Sequence, residues 1–553
     1  MQRFPVVVVG GGPVGMGLAL QLATLNVPCL IVNRQPDSGW HPKGNTHNSR
    51  TMEHYRRLGL AEGIRALGLP RNHPTDVGYF TTLSGPEIAR IPMPSEAEKM
   101  EKVRNAAPSD QVVEPIFRCN QMYVERFLFE RVRSTPGIEC KYGWECVDWE
   151  DQGDKVRVEL AEISTSRRTT IECDYLAGCD GGQGIVRKNL GIRYTGDPYR
   201  DQAYAGGLTA STFIRAPDLY KTVIRKLCWQ YSIVNHLVRS NLVTLDGEGG
   251  FLFSTRLRPR ENETEQQAIL RQLAMSIGVE ARVEYVSHFL WTAGQALVAA
   301  SYGRNRVVMA GDAVHLFTPQ GGFGMNTGVD DAANLGWKLA ALVQGWGGPA
   351  LLESYEHERR PIAVRNTQAA QGMARQIGDV PVSDTILDDT ETGIQARAAA
   401  GRVLAKFSEE FASLGIQLGA RYDNSPIVAG DGRAPPDRPD EYIPSASPGG
   451  RAPHVWLPGH VSLFDQFGKG FTLLCLRRSG RDAADLQVAA ARRRIPLKVL
   501  SVDSIDARDI YEREFALIRP DQHVAWRGNE LPGGCDRLLA IATGAPSDRA
   551  DES

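Results

Sequence analysis

The stretch Phe4-Pro5-Val6-Val7-Val8-Val9-Gly10-Gly11-Gly12-Pro13-Val14-Gly15 decides the fold of the first part of this chain. Its apolar run is rich in β-branched residues, which is typical of a buried parallel strand, and a helical pattern follows the glycines. Cys29-Leu30-Ile31-Val32 is predicted as the next strand, which completes a βαβ unit. Glycines in this context permit a tight turn and let the backbone approach a pyrophosphate at a helix N-terminus. We expect a dinucleotide to bind this glycine loop through Gly10, Gly12, Pro13, Val14 and Gly15.

The end of the second strand departs from the usual dinucleotide pattern. Asn33 stands 18 residues after Gly15, where an acidic residue usually binds the ribose hydroxyls. Its amide can still bond a hydroxyl, but without charge. The next residue, Arg34, is expected near the phosphate on the adenosine side.

Two later segments each place a carboxylate directly after an apolar, strand-like stretch. They are Cys179-Asp180-Gly181 and Ala310-Gly311-Asp312-Ala313. A carboxylate at a strand end suits a sugar or ribityl hydroxyl, although an Asp in this position is often only a helix N-cap. In this order with the glycine loop, the segments predict one FAD site built from three distant parts of the chain. The cofactor residues expected here are Asp180, Gly181, Gly311 and Asp312.

The third segment continues into Pro319-Gln320-Gly321-Gly322-Phe323-Gly324-Met325-Asn326-Thr327, which we call the flavin loop. Three glycines ahead of a long predicted helix leave several backbone N–H groups bare at a positive dipole end. Reduced flavin carries negative charge near N1 and its C2 carbonyl, so that end of the ring suits this loop. The expected contacts are Pro319, Gly322, Gly324, Met325 and Asn326.

Bulk properties narrow the class of protein. A chain of 553 residues with 42% hydrophobic and 23% charged residues is expected to be globular, with two or three domains. A net charge of −2 gives no basic face for nucleic acid. The apolar stretch 5–32 is broken by glycines, unlike a signal peptide or membrane span, so we expect a cytoplasmic protein without a membrane segment. The nine cysteines include no Cys-x-x-Cys and no zinc spacing, so reduced thiols and no metal site are expected.

The order of these motifs resembles the single-component FAD-dependent aromatic hydroxylases, which have the para-hydroxybenzoate hydroxylase fold. The resemblance includes Gln121 with Glu125 on a helix, and Arg187 after Asp180-Gly181. A second set of segments resembles the phenol hydroxylase branch, which includes dichlorophenol and hydroxyphenylpropionate hydroxylases and carries a C-terminal thioredoxin-like domain. That set comprises His41-Pro42-Lys43, Arg50-Thr51-Met52-Glu53, Gly450-Arg451-Ala452-Pro453-His454, Ser462-Leu463-Phe464-Asp465, Arg519-Pro520-Asp521 and Val524-Ala525-Trp526-Arg527.

The resemblance implies an α/β fold with a Rossmann-like FAD-binding domain interleaved with an antiparallel-sheet substrate domain. Alternating residues and many aromatics between 201 and 300 agree with such a sheet. A C-terminal thioredoxin-like domain without Cys-x-x-Cys would serve in packing or oligomerisation. The expected divisions are 1–72, 111–190 and 296–395 for FAD, 73–110 and 191–295 for substrate, 396–433 as a helical connector, 434–453 as a proline-rich linker, and 454–553 as the thioredoxin-like domain.

The implied activity is monooxygenation of an activated aromatic ring. NADPH, or NADH, reduces FAD; dioxygen then gives a C4a-hydroperoxide whose distal oxygen attacks an electron-rich ring such as a phenol. Arg50, Gln121 and Arg187 are assigned to the cofactors by the resemblance. The implied partners are a small aromatic substrate and O2, with a homodimer possible and no second dinucleotide domain for NADPH.

A general base would help by ionising a phenol. The resemblance places a polar substrate-side residue within Asn45-Thr46-His47-Asn48-Ser49. His47 is the candidate base, because its ordinary pKa lies near neutral, and Asn45 is a candidate orienting group. The alternative is that His47 only bonds the flavin, a carbonyl group or solvent.

Two departures and three functions remain open at this stage. Gly184 replaces the serine usual after Asp180-Gly181, and Phe323 stands where a polar residue is common, which predicts a more apolar flavin face. The functions are a phenol hydroxylase, a same-fold enzyme that tailors a polycyclic polyketide or antibiotic by hydroxylation or Baeyer–Villiger oxidation, and a non-catalytic FAD-binding redox protein. The flavin loop argues against the third, and pocket volume would help to separate the first two.

Overall fold

A computed structural model describes residues 2–198, 207–476 and 483–546. The helices are α1 Pro13–Thr24, α2 Ser49–Arg57, α3 Ala61–Arg65, α4 Glu96–Arg104, α5 Gln121–Ser134, α6 Ile185–Asn189, α7 Leu219–Thr222, α8 Glu265–Ile277, α9 Phe323–Val343, α10 Ala350–Gly378, α11 Glu391–Leu404, α12 Glu409–Ala412, α13 Leu414–Leu418, α14 Leu463–Gln466, α15 Ala484–Arg492, α16 Ile505–Tyr511 and α17 Cys535–Ala542, with 3-10 turns at Gly311–Ala313, Gln320–Gly322 and Asp384–Leu387.

The strands are β1 Gln2–Val9, β2 Cys29–Asn33, β3 Thr46–His47, β4 Val77–Phe80, β5 Glu87–Ile91, β6 Phe117–Arg118, β7 Ile138–Tyr142, β8 Trp144–Asp151, β9 Val156–Glu162, β10 Arg168–Gly178, β11 Tyr194–Asp197, β12 Gly207–Arg215, β13 Gln230–Val234, β14 Arg239–Thr244, β15 Gly250–Arg256, β16 Glu284–Ala293, β17 Ala296–Ala299, β18 Gly303–Arg304, β19 Val307–Met309, β20 His315–Leu316, β21 Trp456–Leu457, β22 Val461–Ser462, β23 Phe471–Cys475, β24 Leu497–Ser501, β25 Phe515–Ile518 and β26 Val524–Gly528.

The first sheet has the predicted Rossmann-like centre. Its order is β18-β19-β10-β1-β2-β7, and β1 runs parallel to both β10 and β2. Val6, Val7 and Val8 are fully buried: α1 packs against β1 and β2, α9 packs against α1, and neighbouring strands cover both edges of β1. In register, the last residue of β1, Val9, lies beside Gly178 of β10, which lies beside Met309 of β19. The three predicted motifs therefore leave the sheet side by side.

The second sheet has seven strands in the order β16-β12-β15-β14-β13-β4-β5. All its pairs are antiparallel except β13 with β4. Strands from the two predicted substrate segments thus share one sheet. β11 differs: although it falls within the predicted range 191–295, it pairs with β17, and β17 pairs with β20. The part of that prediction at 199–206 lies outside the described residues.

The C-terminal unit has the thioredoxin-like order β24-β23-β25-β26, with β23 parallel to β24 and the other pairs antiparallel. Its chain order is βαβαββα, and Cys475 and Cys535 are separate buried thiols. Residues 434–453 form no helix or strand beyond isolated bridges from Gly450 to Arg421 and from Arg451 to His523, and Arg451 also donates to Glu53 of α2 at 2.5 Å.

Buried ion pairs join the C-terminal unit to α9 and α10. Arg519, fully buried after β25, donates to both oxygens of Glu358 on α10 at 2.6 and 2.9 Å. Glu358 also accepts from Lys338 on α9 at 2.6 Å, and burial lowers the pKa of Lys338 to about 8. A buried pair that loses one partner is costly, so these contacts fix the unit against the helices. No helix within the described residues is long and apolar enough to span a membrane.

Candidate active site

The glycine loop has the shape that a bound pyrophosphate requires. At Gly10, where φ is +115°, a Cβ would lie closer than 3 Å to backbone atoms of Cys179 and Asp180. A Cβ at Gly15 would overlap the carbonyl oxygen of Gly10. Gly12, by contrast, has no atom within 4 Å of that position, and as the N-cap of α1 it leaves the first helical N–H groups without a side-chain cap. The loop is thus closed on its protein side and open where an anion would bind.

Asn33, the last residue of β2, and Arg34, which follows it, both interact with other protein groups. Asn33 accepts from the N–H of Gly11 at 3.0 Å and donates to the carbonyl of Gln35 at 3.2 Å. It therefore braces the glycine loop as well as standing at the expected ribose position. Arg34 is exposed and lies 3.5 Å from Glu145. A phosphate contact by Arg34 stays a prediction.

Asp180 offers an unsatisfied acceptor beside the glycine loop. Its Oδ2 accepts from the N–H of Val186 at 3.0 Å, while its buried Oδ1 has no hydrogen-bond partner within the described residues. Burial raises the pKa of Asp180, and backbone N–H groups oppose that rise. A ligand hydroxyl would satisfy Oδ1. The glycine at 184 follows from this arrangement, because a Cβ there would overlap the carboxylate of Asp180.

Arg187 supports the site from behind. Its guanidinium donates to the carbonyls of Ile192 and Gly182, each at 3.0 Å, and its Cζ lies 4.0 Å from the centroid of the Tyr194 ring. The Tyr194 hydroxyl in turn donates to the carbonyl of Asp312 at 2.6 Å. Arg187 thus connects the Asp180 turn to the Asp312 turn, and its predicted contact with a cofactor stays a prediction.

Gly311 and Asp312 form the third wall. Gly311 has φ of +66°, and a Cβ there would lie 2.9 Å from a methyl carbon of Val14 in the glycine loop. Asp312 is exposed at this edge of the sheet. Desolvation by nearby protein atoms raises the pKa of Asp312, while the positive charges of His315 and Lys43 lower it. A carboxylate so placed can accept from a ligand hydroxyl.

The flavin loop turns through two left-handed glycines, Gly321 with φ of +74° and Gly322 with φ of +64°. Gly322 is the N-cap of α9 and supplies no capping side chain, so the helix N-terminus faces outward bare, as predicted. Asn326 holds the loop: it donates to the carbonyls of Thr46 at 2.9 Å and Gly322 at 2.6 Å. It also accepts from the N–H of Asn48 at 2.9 Å. Pro319 caps the 3-10 turn Gln320–Gly322, and Gly324 and Met325 lie in the first turn of α9.

Phe323 corrects one expectation about this loop. Its ring is 2% exposed and packs in a buried cluster with Ala370 and Ile416. It therefore points away from the cavity described below and does not make the flavin face more apolar.

The segment around Asn45 covers the N-terminus of α5. The backbone N–H of Gln121 donates to the carbonyl of Gly44 at 2.7 Å, and its side chain donates to Glu125 at 2.5 Å. Asn45 accepts from Asn120 at 2.6 Å and lines the cavity. Lys43 lies 3.4 Å from Glu125 and is close enough to Asp312 to lower its pKa. Sequence reasoning did not assign Lys43 a site role; the signal was a cation inside the His41-Pro42-Lys43 motif.

Two predicted site residues lie elsewhere. His47 is fully buried in β3, with its ring 6.0 Å from that of Tyr55 and 6.5 Å from that of Phe117, and burial lowers its pKa to about 4. It is a core residue and is not placed to act as the substrate base. Arg50 is also buried, and its guanidinium donates to Glu53 at 2.8 Å and to the carbonyl of Asp521 at 2.6 Å. It joins α2 to the C-terminal unit rather than to the cleft.

A cavity of about 400 Å³ lies between the seven-stranded sheet and the flavin loop. Pro319 to Gly322 form one wall, and the sheet forms the other. Polar side chains outnumber aromatic ones on the sheet wall, and the described aromatic lining is Tyr79, Trp229, Phe289 and Trp291 on the sheet side, with Phe411 from α12. The cations of the lining are Lys43, Arg118, Arg239 and Arg256. By contrast, Tyr231, Phe251 and Phe253 face the opposite side of the sheet and are buried, since side chains alternate along a strand.

A buried network under the cleft holds the third wall in place. Asp331 on α9 accepts from the N–H of Gly311 at 3.1 Å and from His315 at 2.8 Å. Its other oxygen accepts from Arg359 of α10 at 2.8 Å. Arg359 also pairs with Asp330. Arg359 and Asp331 are fully buried, and Asp330 is nearly so. His315 therefore supports the site and does not line it.

A Rossmann-like sheet, a glycine loop open to an anion, two cleft carboxylates and a bare helix N-terminus together define an FAD-binding flavoprotein. The residues fit the cofactor, because Asp180 Oδ1 lacks a partner among the described residues and Gly12 leaves open space. Residues 3–370 match the family described as FAD binding domain, and residues 445–546 match the family described as aromatic-ring hydroxylase, C-terminal. The chain belongs to this family of FAD-dependent aromatic-ring hydroxylases.

Relatives agree along the whole chain. FAD-dependent monooxygenase apdD of Emericella nidulans is 30% identical, covering 98% of this chain and 90% of that protein. Phenol 2-monooxygenase of Pseudomonas sp. is 26% identical, covering 95% of this chain and 93% of that protein. The structure of chromopyrrolic acid-soaked RebC with bound 7-carboxy-K252c is similar with a TM-score of 0.88 and 32% identity, covering 99% of this chain and 100% of that chain.

The predicted class of enzyme is thereby confirmed. The protein is a flavin monooxygenase that uses FAD and NAD(P)H and acts on aromatic compounds. FAD supplies the reaction with O2 that this chemistry needs. The residues that would hold the cofactor are those of the glycine loop, Asp180, Asp312 and the flavin loop, and the cavity beside the flavin loop would take the aromatic compound.

Proposed function

We propose that this chain monooxygenates a polycyclic aromatic compound with an acidic substituent, as a biosynthetic tailoring enzyme. The observation that carries the proposal is the cavity of about 400 Å³ against the flavin loop. Pockets that enclose drug-sized ligands have volumes of about 300–1,000 Å³. A single phenol ring would leave much of this volume unfilled, whereas a fused ring system would contact both walls.

The cavity wall supports both parts of this substrate description. Flat aromatic side chains such as Trp229 and Trp291 suit stacking or edge contacts with a fused ring. The Arg118 guanidinium lies 4.3 Å from the Trp229 ring centroid, so aromatic surface and positive charge are adjacent. A phenolate or carboxylate would find a favourable charge there. The similar protein RebC, a rebeccamycin biosynthetic enzyme, was soaked with chromopyrrolic acid, which supports an acidic substrate.

The experiment is NADPH oxidation in air by the FAD-loaded protein, with phenols and aromatic acids of one to four rings. We expect compounds of three or four rings to accelerate NADPH oxidation at least tenfold and to give a product that gains one oxygen. Product NMR then separates a new ring hydroxyl from the ester of a Baeyer–Villiger oxidation. Stimulation by single-ring phenols alone would refute the polycyclic proposal, and NADPH oxidation that yields only peroxide with every compound would refute the substrate class.

A single-ring phenol is the second candidate substrate. It is supported by the similarity to phenol 2-monooxygenase over 95% of this chain. The same panel decides between the two, since a small ring should then give the larger acceleration.

Location and assembly complete the proposal. The cysteines other than Cys475 are free thiols, which supports a reducing compartment such as the cytoplasm. A homodimer is supported only by the family resemblance, and light scattering of the FAD-loaded protein tests it.

A further inference from the structure

The burial of His47 leaves the cavity without its predicted acid–base group. Two of the described lining residues, His41 and Glu410, carry side chains that can take up a proton. His41 lies at the wall with Nδ1 2.9 Å from the hydroxyl of Ser287, and burial lowers its pKa. Glu410 is the only carboxyl group among the described lining residues.

Glu410 reaches the cavity from a part of the chain that belongs to neither cavity wall. It lies on α12, in the connector between α11 and the C-terminal unit, and the next residue, Phe411, also lines the cavity. Its helix α12 packs against the Gln320–Gly322 turn of the flavin loop, and Glu410 lines the cavity together with Gly321 and Gly322. The charge of Arg118 acts on it from β6, and Arg118 donates to the carbonyl of Phe411 at 3.4 Å. Glu410 thus lies beside the flavin loop and lines the space where a substrate would lie.

The surroundings of Glu410 suit proton transfer near neutral pH. Burial raises its pKa to about 7, and the Gly321 N–H and Arg118 oppose that rise. The ionisable and charged groups that share the described cavity lining with it are His41, Lys43, Tyr79, Arg118, Arg239 and Arg256. A base with a pKa near the operating pH combines availability with driving force.

We propose that Glu410 is the catalytic base that ionises the acidic hydroxyl of the substrate in this cavity. The hydroxyl O–H bond breaks, the new O–H bond forms on the Glu410 carboxylate, and the electron pair stays on the substrate oxygen, which activates the ring. The proton returns to solvent after product leaves. Arg118 stabilises the resulting oxyanion. This role rests on the proposed function in one respect, namely that the substrate carries an acidic hydroxyl.

The first test needs no substrate. The visible spectrum of the FAD-loaded protein is recorded from pH 5.5 to 8.5 for the wild type and for Glu410→Gln, Glu410→Asp, His41→Gln and Glu441→Gln. Glu441 is an exposed carboxylate of the neighbouring linker and serves as the matched control. We expect a one-proton change in the flavin spectrum near pH 7 that is absent from Glu410→Gln and present in the wild type, His41→Gln and Glu441→Gln.

Other outcomes overturn the assignment. Absence of the change in the wild type, or its persistence in Glu410→Gln, shows that this carboxyl group does not titrate beside the flavin. Loss in His41→Gln but not in Glu410→Gln transfers the role to His41. If Glu410→Gln fails to bind FAD, Glu410→Asp decides: a change displaced in pH supports the proposal, and an unmoved one refutes it.

The second test uses whichever panel compound is oxidised. For Glu410→Gln, kcat/KM should fall about 100-fold below the hydroxyl pKa of that compound, since a general base contributes about 10²–10⁴-fold. Above that pKa, where the compound is already ionised, the variant should approach the wild-type rate. An equal loss at every pH would indicate a structural role and refute the base. If no compound is oxidised, the proposed function fails while the spectral titration still judges Glu410.

Discussion

A pair of alanine substitutions in the glycine loop separates folding from cofactor binding. At Gly10, alanine must keep φ of +115° and place its Cβ closer than 3 Å to backbone atoms of Cys179 and Asp180, which cannot rotate away. The backbone conformation alone costs about 1–3 kcal/mol. With the overlap, Gly10→Ala should lower the free energy of unfolding of the apoprotein by at least about 2 kcal/mol.

Gly12→Ala is the matched change two residues further along, on the open side of the same loop. Its φ of −79° suits alanine, and no atom lies within 4 Å of the new methyl group. The apoprotein should therefore unfold within about 0.5 kcal/mol of the wild type. The methyl group fills the space of a pyrophosphate, so FAD should bind at least tenfold more weakly, or about 1.4 kcal/mol.

Urea unfolding of the apoproteins and titration of FAD by its fluorescence measure the two effects. The result that refutes the reasoning is Gly12→Ala binding FAD like the wild type, since the open face of the loop would then not hold the phosphates. Wild-type stability of Gly10→Ala would equally contradict the steric argument.

Three further changes test the buried polar contacts. Arg519→Met should lower the free energy of unfolding by about 3–5 kcal/mol, because it removes the guanidinium from the buried carboxylates of Glu358 and Asp521. Arg492→Ala, at an exposed pair, should cost below about 1 kcal/mol; urea unfolding compares them. Gly184→Ser, which restores the residue common in the family, should weaken FAD binding several-fold in a fluorescence titration, because its Cβ displaces the Asp180 carboxylate. His47 has its pKa lowered from 6.5 to about 4, so as pH falls through this window the unfolded chain binds a proton that the folded chain does not. The stability advantage of the wild type over His47→Gln should therefore shrink by up to about 1.4 kcal/mol per pH unit, and a pH-independent difference would contradict the burial of a neutral ring.

The sequence predicted the elements whose signals are local. The strand before Gly10, the helix after Gly322 and the strands that end before Asp180 and Asp312 all follow from apolar runs bounded by glycine or aspartate. Their convergence also follows, because parallel strands of one sheet end at the same edge. The cofactor class and the thioredoxin-like topology were therefore within reach of sequence reasoning.

The sequence did not predict the direction in which individual side chains point. His47 lies in the two-residue strand β3, which pairs with β6. Thr46, the other residue of that strand, lines the cavity, so a shift of one residue would have put His47 on the cavity side. Arg50 donates to Asp521 and Gln522, which lie more than 470 positions later in the chain. Glu410 comes to the flavin loop from a short helix that carries no recognisable motif. Contacts of this length depend on the assembled domains, which no local pattern encodes.

One sequence signal for the assembly was present on α9. Asn326, Asp330, Asn334 and Lys338 recur every four residues and so share one face of a helix that is otherwise largely apolar. Asn326 holds the flavin loop, Asp330 pairs with Arg359, Asn334 donates to Asp521 at 3.2 Å, and Lys338 pairs with Glu358.

This polar face connects the flavin loop at one end of α9 to the C-terminal unit towards the other. Because the four side chains are buried, each needs its partner. Removing the unit would take Asp521 from Asn334 and Arg519 from Glu358, which also holds Lys338. The buried charges of the thioredoxin-like unit thus fix the helix whose first turn presents the flavin loop, and they do so without a Cys-x-x-Cys pair.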